Sequence, residues 1–185
     1  MSIFLRNLGS VFYSALRFVL LKIIYRKRFR FKGLQRFSPR TQLFMMKGGS
    51  IYLGNKVRAH SGTKLRSVAG ATLKVGDNVT FNYDCFIVSL KEISIGSGTE
   101  FGPNVLVYDH DHDFRVGLKK GNYKKSSVEI GSNCWIGANS IILRGTKLGK
   151  NCVVGAGSII SGSFPDNSII TQKRETEIRS YATAE

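Results

Sequence analysis

From Ile130 onward the chain divides into sixes without remainder: IGSNCW, IGANSI, ILRGTK, LGKNCV, VGAGSI and ISGSFP. Each six opens on an aliphatic residue (Ile130, Ile136, Ile142, Leu148, Val154, Ile160), and glycine stands second in four of them. Neither a helix nor a plain strand repeats at six. A period this short, sustained over many units, predicts a parallel β-helix. The same phase runs upstream through VGDNVT and FNYDCF from Val75, IGSGTE and FGPNVL from Ile95, and LGNKVR, AHSGTK and LRSVAG from Leu53. Phe31, Phe37 and Leu43 keep the same step.

Three sixes make one triangular coil with a short strand on each side. The first residue of each six then points inward, and glycine is expected to help the backbone turn at a corner. Five or six coils, about 4.8 Å apart, fit between residues 31 and 165. Cys85, Cys134 and Cys152 all take the fifth place of their sixes, and Cys134 and Cys152 stand one full coil apart. Their odd number and the absence of a secretory signal read as reduced core thiols in a cytoplasmic chain.

Charge is distributed unevenly. No aspartate or glutamate precedes Asp77, whereas sixteen lysines and arginines do, so the net +16 belongs to the first 76 residues. This half opens with an amphipathic helical pattern in which Phe4, Leu8, Val11, Phe12, Ala15, Leu16 and Val19 share one face. Arg6, Ser10, Ser14 and Arg17 share the other. Arg6, Arg17 and Lys22 interrupt any apolar stretch long enough to span a bilayer or serve as a signal core. Two readings remain. The helix lies on the inner face of the cytoplasmic membrane with Arg26, Lys27, Arg28 and Arg30 on anionic headgroups, or it caps the open end of the prism with its apolar stripe or packs in an oligomer. The basic run carries no recognised nucleic-acid-binding module. The chain thus divides into a basic helix (1–30), a β-helix (31–165) with a protruding loop (109–127), and a tail (166–185).

That loop, beginning in YDHDHD, carries two of the three histidines, and insertions in a solenoid commonly bear its function. Extended backbone from Tyr108 to Asp113 puts His110 and His112 on one side and Asp109, Asp111 and Asp113 on the other. Lys119, Lys120, Lys124 and Lys125 read as a solvated run or a phosphate clamp.

The stretches FGPNVLVYDHDH, IGSNCWIGANSIILRGTKLG and VGAGSII resemble the hexapeptide-repeat acyltransferases, in particular sugar O-acetyltransferases similar to the galactoside and maltose enzymes, over roughly Val75 to Pro165. The resemblance implies an all-β, left-handed parallel β-helix, a homotrimer with sites between subunits, and acetyl-CoA as co-substrate with no permanently bound cofactor or metal. It places the catalytic histidine at His112, an acceptor-holding or oxyanion-assisting asparagine at Asn82, and the tryptophan of the W-I-G element at Trp135. Tyr108 and Asp111 become candidate acceptor contacts. Ala138, Gly155 and Ala156 keep a small profile along which a pantetheine arm would lie, and Lys173 and Arg174 are the basic residues nearest its nucleotide end. Many relatives carry Thr-Lys where this chain has Ser161-Gly162, and their small-Pro-Ala-Lys tail is replaced here by NSIITQKRETEIRSYATAE.

These residues suit acyl transfer. Imidazole near its ordinary pKa of about 6.5 takes a proton from a sugar hydroxyl as the hydroxyl attacks a thioester. A surface-polysaccharide intermediate, lipid-linked in keeping with the basic amphipathic start, is the expected acceptor. A metalloenzyme similar to the γ-carbonic anhydrases, with His60 as third ligand, and a non-catalytic β-helix scaffold are the alternatives.

Overall fold

The computed structural model describes residues 3–117, 121–173 and 175–178, with side chains from Gly9 onward. The expected positions Phe4, Arg6, Leu8, Lys119, Lys120 and Arg174 lie outside that description. The first residues of the sixes turn inward as their period requires. Leu53, Val75, Phe81, Ile95, Phe101, Ile130, Ile136, Ile142, Leu148, Val154 and Ile160 are all buried. Each coil contributes one strand to each of three parallel sheets. The first face runs from Phe29–Phe31 through Ser50–Leu53, Thr72–Val75, Glu92–Ile95, Val128–Ile130 and Lys147–Leu148 to Ser163–Phe164. The second runs from Arg36–Phe37 to Ile169–Ile170, and the third from Gln42–Met46 to Ile159–Ile160. Stacked strands keep register, with Leu53 beside Val75, Ile95 beside Ile130, and Ile130 beside Leu148. Inside, the Phe81 and Phe101 rings stack at 4.9 Å.

The stack starts at Phe29 and runs to Ile170, past the expected start at 31 and end at 165. Part of the tail is therefore a further rung. It is closed by Gln172, whose side-chain amide accepts from Ile159 N–H (2.9 Å) and donates to Ile159 C=O (2.7 Å) as a neighbouring strand would.

Glycine turns the corner at the fourth place of the six and not at the second. Those in second place, such as Gly54, Gly76 and Gly131, do not take the left-handed backbone conformation, which falls to the fourth place, held by Gly62, Gly98, Gly145 and Gly157 and by Asn78, Asn104, Asn133, Asn139 and Asn151. Asparagine tolerates that region through its short polar side chain. In second place glycine is needed because the coils meet there: a Cβ on Gly131 would stand 2.3 Å from Gly149 O and 2.5 Å from Gly149 C.

Helix α1 (Ile3–Tyr25) covers the first coil, but through the face read as polar. Phe37 N–H donates to Ser14 Oγ (2.9 Å), Ser10 Oγ donates to Phe37 C=O (3.1 Å), and Arg17 reaches Thr41 O (3.0 Å) and Oγ1 (2.9 Å). Phe18 completes the contact, buried against Phe29, Phe31 and Phe37 with ring centroids 4.9 to 5.4 Å away. The expected stripe is left outside: Phe12, Leu16 and Val19 are exposed, as are Leu20, Ile23 and Ile24. The end of a β-stack presents unpaired backbone N–H and C=O groups, so hydroxyls and a guanidinium satisfy it better than methyl groups do.

Candidate active site

The insertion leaves the stack at the edge between the third and first faces without disturbing it. Leu106–Tyr108 precedes it, Val128–Ile130 follows, and Val128–Ile130 pairs directly with Glu92–Ile95 one coil earlier. Outside the stack the chain folds into an antiparallel hairpin, with His110 opposite Lys125, Asp111 opposite Lys124 and His112 opposite Tyr123. Period-two alternation holds. Both histidine rings lean on Tyr123, His110 at 5.4 Å and His112 at 4.7 Å between centroids. The aspartates take other directions: Asp111 is clasped by Arg144 from the next coil, while Asp113 caps the short helical turn after the hairpin strand and lies 3.4 Å from Lys124.

Asp109, unremarked in the sequence beyond its place in the run, anchors the hairpin. Its carboxylate is fully buried. Oδ1 accepts from Leu90 N–H (2.8 Å) and lies 3.0 Å from His110 Nδ1; Oδ2 accepts from Ser89 Oγ and Lys91 N–H, both at 2.8 Å. Burial alone pushes this carboxyl up. The hydrogen bonds from His110, the Leu90 and Lys91 amides and Ser89 outweigh burial and hold it below the ordinary carboxylate range. An ionised acceptor on Nδ1 fixes the proton there and leaves Nε2 of a neutral His110 as a lone-pair base. His112 sits farther out on the hairpin, exposed, with its ring tilted against that of Tyr123. The buried carboxylate thus orients His110, whereas the contact of His112, the expected base, is with the Tyr123 ring. The sequence held no signal for this choice, because Asp111-His112 repeats the Asp109-His110 pair.

The remaining candidates gather on the opposite edge of the third face. Asn82 turns the corner there, its Oδ1 accepting from Tyr83 N–H (2.9 Å). Tyr83, Pro103, Ala138 and Ala156 follow one another along this edge through backbone hydrogen bonds from Asn104 to Tyr83, Asn139 to Pro103 and Gly157 to Ala138. Glycines keep its profile low, since a Cβ on Gly137 would lie 2.5 Å from Ala156 N and one on Gly102 2.6 Å from Ala138 N. Trp135, 58% exposed on the second face, flanks the edge two residues before Gly137. Gly155 and then Thr171 lead to exposed Lys173 at its far end. Tyr108 remains with the hairpin, its ring 5.9 Å from that of His110, and burial pushes its hydroxyl pKa up.

The two sets do not meet within one chain. From Asn82 to Ser89 the backbone crosses the whole third face, roughly 20 Å at about 3.3 Å per residue. His60 belongs to the Asn82 edge as well, its ring 4.9 Å from Tyr83, and so stands apart from the hairpin histidines. Among the described residues no three histidine, cysteine, aspartate or glutamate side chains gather as a metal site. The cysteines are buried free thiols, and burial pushes Cys85 up to about 11.

Comparison with known proteins agrees with this architecture. Residues 127–161 match the family described as hexapeptide repeat of succinyl-transferase. Nodulation protein L of Rhizobium leguminosarum bv. viciae is 40% identical over 81 residues, 41% of this chain, and the match spans only 40% of that protein's length. A putative lipopolysaccharide biosynthesis O-acetyl transferase of Escherichia coli, WbbJ, is 28% identical over 148 residues, 75% of this chain and 76% of that protein. Among solved structures, the N-acyltransferase AntD from Bacillus cereus, in complex with dTDP and 3-hydroxybutyryl-CoA, superposes with a TM-score of 0.68 at 21% identity, over 80% of this chain and 81% of that one. The fold is thus the left-handed parallel β-helix. A putative acetyltransferase of Dictyostelium discoideum is 34% identical over 154 residues, 80% of this chain and 75% of that protein. With the hexapeptide period, the prism and this extended likeness in agreement, the chain belongs to the hexapeptide-repeat acyltransferases.

Proposed function

We propose that the protein transfers acetyl from acetyl-CoA to a sugar hydroxyl, with the site completed between two copies of the chain. The observation that carries this reading is the buried Asp109 carboxylate holding His110 by Nδ1 (3.0 Å) on the one hairpin that leaves the stack. His110 Nε2 takes the proton of the acceptor hydroxyl as its oxygen attacks the thioester carbonyl. The C–S bond then breaks, and the departing coenzyme A thiolate receives that proton. The developing oxyanion needs donors. Gly137 and Asn139 N–H are committed to Val154 and Pro103 carbonyls, which leaves the Ala138 N–H of the same turn, with the Asn82 amide beside the acceptor. A cysteine-bound acyl intermediate is not invoked, because the thiols are buried.

Hairpin and small-residue edge lie a face apart, so one chain's hairpin must meet another chain's Asn82–Ala156 edge. A homotrimer does this three times. Trp135 would wall the donor groove, with Ala138, Gly155 and Ala156 along the pantetheine arm and Lys173 toward the nucleotide. The names of the Escherichia coli relative and of the AntD complex support a saccharide acceptor and a coenzyme A thioester donor. We place the acceptor in a surface-polysaccharide pathway.

Separate His110→Ala and His112→Ala variants test the base. The first should lower kcat about 100-fold or more with acetyl-CoA binding intact by calorimetry, and the second should act through KM for the acceptor. The reverse order would return the base to His112. Mixing inactive His110→Ala with Asn82→Ala subunits should restore part of the activity, because some mixed sites carry both native residues. No restoration would confine the site to one chain.

A further inference from the structure

Helix α1 spends its serines, Arg17 and Phe18 on closing the prism, and its other face is left without a partner. Phe12 (75% exposed), Leu16 (60%), Leu20 (52%), Ile23 (67%) and Ile24 (66%) form a continuous stripe on the described part of the helix. At the C-terminal end of that stripe opens a cavity of about 680 Å³ lined by Lys22, Arg26, Lys27, Arg30 and Lys32 around Phe31, Tyr52 and Leu53. Aromatic rings position part of its charge: Lys22 Nζ lies 5.7 Å from the Phe31 ring and the Arg30 guanidinium 5.5 Å from Tyr52. Among the described residues no acidic side chain lines this cavity, and in the sequence none occurs before Asp77.

We infer that this capped end is a docking surface for an anionic bilayer, with the exposed face of α1 in the interfacial layer and a lipid phosphate in the basic cavity. Apolar stripe and cation cluster sit side by side, as a helix lying in the headgroup plane requires. No described helix is long and apolar enough to cross a membrane, so the helix lies in the interface and does not span it. A second copy seated end to end would oppose five cations with the same five and no compensating acid. Charge therefore selects the anionic lipid surface. One helix does both tasks because its two faces are chemically distinct: hydroxyls for the open β-end, hydrocarbon for the lipid. The Leu106–Tyr108 strand that leads to the hairpin is three rungs above Gln42–Met46 on the third face, so the hairpin stands roughly 15 Å from the docked end at about 4.8 Å per rung.

The test is sedimentation of the full chain with phosphatidylcholine vesicles, with and without phosphatidylglycerol, at rising salt. Binding should require phosphatidylglycerol and weaken steeply as salt screens the cations. Lys22→Gln with Lys27→Gln should weaken it by about fivefold for each cation removed. Leu16→Asp with Ile23→Asp should abolish it without lowering the unfolding midpoint, since neither side chain packs on the prism. Equal binding to pure phosphatidylcholine, or undiminished binding by the aspartate variant, would overturn the inference. So would a wild-type assembly that the aspartate variant splits by light scattering with no change in vesicle binding, which would assign the stripe to a second copy.

Discussion

Replacing Asp109 by Asn isolates the group on which both hairpin and base depend. The carboxylate receives four hydrogen bonds, two on each oxygen, and is fully buried. An amide has one accepting oxygen. If its NH2 replaces Oδ2, it faces Lys91 N–H; if it replaces Oδ1, it faces Leu90 N–H. Either way a backbone donor loses its acceptor, at about 1–3 kcal/mol, and the surviving bonds lose their ionic character. A destabilisation of about 2–4 kcal/mol follows. Denaturant unfolding at neutral pH should report it as a lower midpoint with unchanged slope. The sign with pH is fixed by the direction of the carboxyl's shift. A carboxyl held below 3.8 contributes stability that is present above that value and lost as pH falls through the folded pKa. The gap between wild type and variant should therefore be constant from pH 7 to about 5 and close below about pH 4. Activity, read as acceptor-dependent release of coenzyme A thiol, should fall about 100-fold or more: in either orientation the neutral amide no longer stabilises the imidazolium that forms as His110 takes the proton, and with NH2 in the Oδ1 place it also moves the ring proton to Nε2. A variant as stable as wild type at pH 7, or one that keeps its kcat, would refute the assignment of Asp109 as the anchor of hairpin and base.

Three further substitutions probe the stack and its capping helix. Gly131→Ala should cost about 3 kcal/mol in unfolding free energy, because the new Cβ meets Gly149 backbone at 2.3 Å, whereas Gly9→Ala, with nothing within 4 Å on a helix, should stabilise by up to about 1 kcal/mol. Cys152→Ser should keep full activity, its hydroxyl replacing the thiol that contacts Pro165 O at 3.1 Å, and the native wild-type thiols should resist alkylation until the protein unfolds.

Much of the prism was written in the chain order. Each six repeats the same inward and outward choices, so Ile136, Ile142, Leu148 and Val154 could be assigned to the interior without coordinates, and all four are buried. The cysteines followed for the same reason. The hairpin was legible as an insertion because it breaks the period, and its histidines as one-sided because strands alternate. The second-place glycines were not legible: their role is set by the neighbouring coil, whereas fourth-place glycines such as Gly98 and Gly157 do serve local backbone freedom.

The candidate site divides along the same line. Sequence alone determined the repeat, the core, the basic first half and the residue types available for acyl transfer, because each of these is a local or periodic property. Only the tertiary structure decided which histidine receives a carboxylate, since Ser89, Leu90 and Lys91 meet Asp109 one coil away. It also paired Arg144 with Asp111 and set Asn82 a full face away from the hairpin. The helix shows the physical reason most plainly. Its moment separates apolar from polar residues, but which face turns inward depends on what it meets. An open β-end with the unpaired N–H and C=O of Phe37 holds Ser10 and Ser14 more favourably than hydrocarbon.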